Sequence, residues 1–532
     1  MQTTKERVVD QTRYSSDVSP YQALDFFMLR TPVFPLENYM AFSSIGTKKG
    51  SNKQEIFKEF KEYITAAIDN PIFREAIAVA SLPLYQSLDK LQKGSSKKSE
   101  QILFSLLSYY IRMSVRPTPF GLFSGVTMGA FKENTEVILN KHFEKRSRPD
   151  MQWLCNVVKL FEQDYTLLSN LLVQKNHLLY RHGDVLILPY LSSHGVKEDS
   201  TIDNASFKIT PVIEDVLNFA SSPITFKDLI SKIHNKYQDV PQEKIALYLN
   251  SMVEKEFLIT ELRPPFLGTS PFEYVLQKVE SLHPNPMQSQ LYQQVNSIYQ
   301  TIKEYNCSEL GQGEDQYISL TEEMMNVVKT KYALQVDLKI NTEKAQLNKS
   351  VKQDIERAAE ILVKISSRTR GSEHIQMYYD EFVEMYGYYS EVPVLELLDN
   401  GLGIGAPPTY ANPPSLKTFN SNNKNTKKDF IFLSWVTDCL ASGKNTLQLT
   451  DQMIKELEGE TKDLIDAPDS FDIYFTIASK SQKAIDCKEY TLVIGPNGGS
   501  FGAGKTFGRF VNMLGNENVE KLKDIHSLEQ EL

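Results

Sequence analysis

Two prolines, Pro117 and Pro119, end an apolar helical stripe and constrain this chain more tightly than any other feature. Leu103, Leu106, Leu107, Tyr110 and Ile111 recur at the spacing of one helix face, so a helix is expected there. The ring of Pro117 clashes with helical backbone at the preceding residue, and the helix must stop near Arg116. Arg112 and Arg116 are then one turn apart at a helix end, where like charges repel by roughly a few tenths of a kcal/mol. Two readings are open: cations placed favourably at the negative end of the helix dipole, or a pair that grips an anion through charge-assisted hydrogen bonds. Thr118, clamped between the prolines, is held extended and can offer its hydroxyl at a fixed position.

The 532 residues suffice for about three packed units at ~100–200 residues per domain. An apolar fraction of 41% against 23% charged residues is that of a folded globular protein, not of a disordered one. Met1 to Tyr14 is polar and of mixed charge, and no run reaches transmembrane length, so a cytoplasmic location is expected. Cys155, Cys307, Cys439 and Cys487 form no paired spacing and the histidines are scattered, which predicts neither a zinc site nor a disulfide framework. A net charge of −9 argues against a surface coated for nucleic acid. Local basic clusters at Lys48–Lys53, Lys93–Lys98, Lys141–Arg148 and Lys424–Lys428 read, taken singly, as solvated loops or helix faces.

Phe57, Phe60, Ile64 and Ala67 predict one helix from about Glu55, and Asn70-Pro71 caps and opens the next. The segment from Leu178 to Leu262 reads as a unit of its own. Tyr180 to Tyr190 alternates about a His182-Gly183-Asp184 turn like a hairpin, and Ala205 to Thr210 adds an extended piece. Three helices follow, opened at Thr210-Pro211, at Thr225 with Asp228 completing a capping box, and at Pro241; Phe257–Leu262 closes the unit as a strand. This is a winged helix-turn-helix order. Its third helix carries Glu243, Lys244, Glu254, Lys255 and Glu256, a mixed face that suits a peptide better than a phosphate backbone, so no DNA partner is expected. Farther on, Phe272–Leu282 and long stretches within Val351–Tyr388 read as helices, Ala406–Asn425 as a loop, and Ser470–Ser479 and Glu489–Ile494 as strands. The expected division is 1–175, 176–265 and 266–532, in a mixed α/β (α+β) fold with the winged unit embedded in an irregular multi-subdomain scaffold.

The run Arg112-Met-Ser-Val-Arg116-Pro-Thr118-Pro-Phe120-Gly121-Leu-Phe123-Ser-Gly125 resembles the signature of the class I lanthipeptide dehydratases, the nisin dehydratase family. Other segments match in the same order: Phe27-Met-Leu-Arg30-Thr-Pro, Arg148-Pro-Asp150-Met-Gln-Trp153, Tyr386-Gly387 through Asp399 to Pro407, and Ser500 to Phe510. The resemblance implies the glutamylation scaffold of that family. Its members take glutamate from glutamyl-tRNA, esterify it onto Ser or Thr of a leader-bearing precursor peptide, and then eliminate it; no other cofactor is implied. Arg30, Arg112, Arg116, Thr118, Asp150 and Arg509 fall where the family places glutamylation residues. Arginines suit both tRNA phosphates and the glutamyl carboxylate. Asp150 can accept a proton or position the aminoacyl amine, and its place before an apolar stripe at Met151, Leu154, Val158 and Phe161 equally predicts a helix N-cap. The winged unit corresponds to a module that binds leader peptide as an added strand beside the hairpin and third helix.

Long members of the family continue well past the glycine-rich element into an elimination domain, so this chain is expected to need an elimination-domain partner. A homodimer, and a complex with cyclase and transporter at the membrane periphery, are further partners that the resemblance implies. A non-catalytic leader-binding carrier is the alternative reading. A third is a P-loop NTPase, because Gly499-Ser-Phe-Gly-Ala-Gly504-Lys505-Thr506 satisfies GxxxxGK[ST] after a strand-like run. Only 26 residues follow Thr506, too few for the downstream strands such a domain needs.

Overall fold

In the computed structural model, which describes residues 21–45, 53–88, 97–189, 191, 205–265, 270–365, 373–410, 414–419, 427–458, 468–495 and 502–531, the N-terminal region lays down three strands: β1 (Phe26–Pro32), β2 (Ser124–Lys132) and β3 (Glu136–Pro149). β1 pairs antiparallel with β2, from Phe26 opposite Ala130 to Pro32 opposite Ser124. The helices between them follow the expected stripes. Asn70 accepts hydrogen bonds from the N–H groups of Ile72 and Phe73, with Pro71 at the first helical position. Leu103, Leu106, Leu107 and Tyr110 are buried on the helix Lys97–Val115, which ends one residue before Arg116.

The middle of the chain carries six short strands in two small sheets. β4 (Leu172–Lys175), β5 (Tyr180–His182), β6 (Val185–Leu188), β7 (Ala205–Lys208), β8 (Ile224–Thr225) and β9 (Leu258–Thr260) assemble in the orders β8-β4-β9 and β5-β6-β7. Gly183, at φ +57°, makes the β5–β6 turn, a left-handed conformation that glycine adopts without penalty. Helices Pro211–Phe219, Phe226–Lys236 and Gln242–Glu254 stand between the strands. Thr210 and Thr225 cap the first two, accepting from the N–H groups of Ile213 and Asp228. Ile213, Val216, Phe226, Leu229, Ile233, Leu249 and Phe257 are buried and weld the unit to the main core. β4 is the central strand of its sheet, although it precedes residue 176.

Glu256 departs from the sequence reading. It lies beyond the end of the third helix at φ +59°, nearly buried, and pairs with Lys159 at 2.9 Å and Arg263 at 3.3 Å. It is therefore an internal tie between segments and not part of the exposed mixed face.

β10 (Leu334–Asn348) returns to the first sheet and inserts between β2, to which it is parallel, and β3, to which it is antiparallel. Its residues alternate. Leu334, Val336 and Leu338 are buried in the main core and Ile340 is buried beside them, while Gln335, Asp337 and Lys339 take the opposite face. On the core side a fully buried Lys145–Glu75 pair at 2.8 Å is completed by the Tyr305 hydroxyl and the Gly311 N–H, so both charges are satisfied where an unpaired one would be costly.

Beyond β10 come the helices Lys349–Ile365 and Glu373–Tyr386, the two-stranded sheet of β11 (Phe475–Ser479) and β12 (Tyr490–Ile494), and the C-terminal helices Lys505–Gly508, Val511–Leu514 and Asn516–Glu531. Phe507, Phe510, Val511, Leu514 and Ile525 bury against Val126 on the face of the sheet opposite the main core. No described helix is long and apolar enough to cross a membrane. Tyr190, the N-terminal run Met1 to Tyr14, Gly499 to Phe501 of the glycine-rich element, and most of the basic clusters at Lys48–Lys53, Lys93–Lys98 and Lys424–Lys428 lie outside the described residues.

Candidate active site

The part of this sheet face that the C-terminal helices leave uncovered is polar and mostly cationic, and register explains why. Arg30 is opposite Val126, Val126 is opposite Lys339, Lys339 opposite Glu144, Asp337 opposite Arg146, and Gln335 opposite Arg148. Directly opposed residues share a face, so Arg30, Lys339, Arg146 and Arg148 all project to one side. Asp150, just past the end of β3, borders the same area.

Asp337 organises this face. Its side chain is 3% exposed; Oδ2 lies 2.8 Å from Arg148 Nη1 and Oδ1 lies 2.8 Å from Arg509 Nη2. One carboxylate thus draws in the C-terminal arginine predicted from sequence and a second arginine that the sequence reading had quoted only as part of a motif. Arg148 Nη2 also donates to Gln335 Oε1 at 3.1 Å, and the Gln335 amide donates to Asp150 Oδ2 at 2.7 Å. The chain Arg509–Asp337–Arg148–Gln335–Asp150 is continuous. Burial, followed by repulsion from Arg148, pulls the Arg146 pKa down, yet an arginine remains charged.

Asp150 is an N-cap. Oδ1 accepts the Gln152 N–H at 2.9 Å, and the helix Met151–Glu162 buries Trp153, Leu154, Val157, Val158 and Phe161. With one bond at each oxygen among the described residues, the carboxylate retains lone pairs for a ligand, so capping and chemistry are compatible.

Arg112 and Arg116 form a separate group at the C-terminal end of the helix Lys97–Val115. The Arg112 guanidinium stacks over Phe120 at 4.5 Å, and its Nε is buried without a hydrogen-bond partner among the described residues. Burial, then repulsion from Arg116, lowers its pKa. Arg116 is exposed, tied to the helix by its N–H donating to Arg112 O at 3.0 Å. Thr118 is also exposed; its carbonyl accepts the Ser124 hydroxyl at 2.6 Å, and its own Oγ1 has no hydrogen-bond partner among the described residues. Thr118 and Arg30 line one cavity of about 1910 Å³, whose wall also includes Tyr474, under the Arg30 guanidinium at 4.6 Å. Burial lowers the Arg30 pKa, against the opposing fields of Tyr474 and Asp472.

The described end of the Walker-like run, Gly502–Thr506, already holds an acid. The Gly504 and Thr506 N–H groups, which a phosphate would need, donate to the two oxygens of Asp472 at 2.9 and 3.1 Å. An acid already fills the nest, and like charge repels phosphate. Asp472 and Asp337 are the residues that sequence reasoning missed. Asp337 carried a signal in the alternation of β10; Asp472 carried none, because its partners are 32 and 34 positions away.

Comparison with known proteins identifies the family of the chain. The chain is 31% identical to the subtilin biosynthesis protein SpaB of Bacillus subtilis over 97% of its own length and 48% of that protein's. It is 30% identical to the epidermin biosynthesis protein EpiB of Staphylococcus epidermidis over 93% of its length and 47% of that protein's. It thus spans about half of these relatives. The crystal structure of the tRNA-dependent lantibiotic dehydratase MibB from Microbispora sp. 107891 superposes with a TM-score of 0.78 at 27% identity, covering 94% of this chain and 46% of MibB. The glutamylation domain of TbtB, from thiomuracin biosynthesis, shares the fold with a TM-score of 0.56 at 15% identity, over 87% of this chain and 56% of that one. The model of the lantibiotic dehydratase N terminus matches residues 69–531, and the chain belongs to that family.

Proposed function

We propose that this chain transfers glutamate from glutamyl-tRNA to Ser and Thr hydroxyls of a precursor peptide, the first half of lanthipeptide dehydration. In that reaction the hydroxyl oxygen attacks the glutamyl ester carbonyl. The new peptide ester C–O bond forms, the bond to the tRNA ribose breaks, and the hydroxyl proton passes to the departing ribose oxygen. The donor is polyanionic at its 3′ end and carries a carboxylate, so the reaction needs cations in two places. The observation that carries the reading is Arg112: a guanidinium with a buried, unpartnered Nε, beside Arg116, with no ion pair to either among the described residues. A buried unsatisfied donor costs about 1–3 kcal/mol, which an arriving anion would recover.

In this reading Arg112 and Arg116 grip one anion, and Arg30, Arg148 and Arg509 face another across the sheet. Thr118 offers a hydroxyl to the acyl group, and Asp150 accepts the proton of the attacking hydroxyl or holds the aminoacyl ammonium. The tRNA dependence of MibB supports the choice of donor. The middle unit takes the leader peptide as an added strand at its small sheet beside the helix Gln242–Glu254, and elimination falls to a further domain or chain. The test is to supply purified chain and precursor peptide with tRNA charged with labelled glutamate, glutamine or aspartate. Label should reach the peptide from glutamyl-tRNA alone; indifference to the amino acid, or leader binding with no transfer from any donor, refutes the reading and favours a non-catalytic carrier.

A further inference from the structure

Among the described residues β1 is an edge strand, and its open edge is unusual in having both faces covered. The Phe131 N–H bonds to Asp25 O and the Val33 N–H to Phe123 O, each at 3.0 Å, which sets the phase of the antiparallel ladder. Odd residues of β1 therefore bond to β2, and the N–H and C=O groups of Phe26, Met28 and Arg30 point the other way. They point into the cavity of about 1910 Å³, well beyond the ~300–1,000 Å³ of small-molecule pockets. On one side of β1, Phe26 and Met28 join the cluster around Phe507 and Ile525. On the other, Phe27 joins Ile355 and Phe475. The same apolar side chains line the cavity.

A strand laid along this edge, ~4.8 Å from β1, would send alternate side chains into those two clusters. We infer that the slot along β1 seats an extended, apolar strand from the polypeptide that makes up the other half of the lantibiotic dehydratases. SpaB and EpiB share 48% and 47% of their lengths with this chain, so each carries about as much polypeptide again that must pack against something. A slot apolar on both sides suits a permanently docked segment; a peptide substrate must leave after each turnover, and a free edge of this kind invites unwanted pairing. The geometry is the same whether that polypeptide is joined to this chain or separate. The inference does not depend on glutamate transfer.

Amide hydrogen exchange on this chain alone and on this chain fused to the second half of SpaB provides the test. In the fusion the Phe26, Met28 and Arg30 amides should slow by about tenfold or more, while those of Phe27, Leu29 and Thr31, already bonded to β2, serve as internal references. Met28→Pro in the fusion removes one outward donor without touching the bonds to β2, and should return Phe26 and Arg30 to within about threefold of the unfused rate. A folded second half that leaves the three amides exchanging as in the chain alone overturns the inference. So does slowing of these amides in the chain alone by added precursor peptide, which assigns the slot to substrate. Faster exchange in a chain starting at Tyr21 assigns it to residues 1–20 and likewise overturns the inference.

Discussion

Replacing Asp337 with Asn should disarm the cationic face without dismantling the fold. The carboxylate is 3% exposed and binds Arg148 and Arg509 at 2.8 Å each. A charged hydrogen bond contributes ~1.5–3 kcal/mol when buried. Here the arginine side chains are 34% and 53% exposed, so solvent screens both pairs and the Arg509 pair more. Taking ~1.5 kcal/mol for the first and ~0.5 for the second gives a loss of about 2 kcal/mol. An amide of the same shape cannot recover it, because its NH2 must face one guanidinium, donor against donor. Melting should fall by a few degrees while the core, on the other face of β10, stays folded. Arg146 and Arg148 then repel without their shared counter-charge and Arg509 swings free, so transfer should fall roughly tenfold to a hundredfold, mainly through a higher KM for glutamyl-tRNA. Steady-state transfer at graded glutamyl-tRNA, beside calorimetry, separates the effects. A variant that melts earlier yet keeps the wild-type KM and kcat would refute the role given to the cluster.

Lys505→Ala should leave glutamate transfer within about twofold, and isothermal titration should find no ATP binding to the wild-type chain, because Asp472 occupies the nest; measurable ATP affinity lost in the variant contradicts this. The chain should bind leader peptide with weak salt dependence and should not bind duplex DNA; tight DNA binding that falls steeply with salt is the contrary result. Stability should decline on the alkaline side. Tyr299, Tyr378 and Tyr490 are each pushed up to about 12, chiefly by burial, with Glu273, Glu381 and Asp354 adding to it. Their neutral forms are favoured in the fold, so stability is intact below the unfolded tyrosine pKa of ~10 and falls as pH rises from there towards 12. Denaturant midpoints at pH 9, 10.5 and 11.5 check this, and a flat profile contradicts it.

Elements whose order is written in local chemistry were legible. The helix stopped by Pro117, the Asn70-Pro71 start and the Thr210 and Thr225 caps all depend on residues within a few positions of one another. The central sheet was not read, because β10 reaches β2 and β3 across some two hundred residues and pairing at that separation leaves no local mark. Its alternation of Leu334, Val336, Leu338 and Ile340 with polar residues was nevertheless a strand signal. The site divides in the same way. The Arg112–Arg116 spacing and the Asp150 cap were visible in the sequence, whereas the joining of Arg148 to Arg509 through Asp337 depends on the long-range register of β3 and β10 and on where the C-terminal helices land. Glu256 misled because a charged residue just beyond a helix resembles one on its face until its φ and partners are known.

Transfer of labelled glutamate from glutamyl-tRNA to the precursor peptide by Arg112→Ala and Arg116→Ala variants tests the account most directly, with any elimination partner withheld until afterwards. Each alanine removes charge-assisted bonds of ~1.5–3 kcal/mol, so transfer should fall roughly tenfold to over a hundredfold at unchanged melting temperature. Arg112→Lys should be nearly as impaired, since an ammonium keeps the charge and loses the planar fork. Folded alanine variants that transfer glutamate at the wild-type rate would show that the pair only caps a helix end, and would contradict the account.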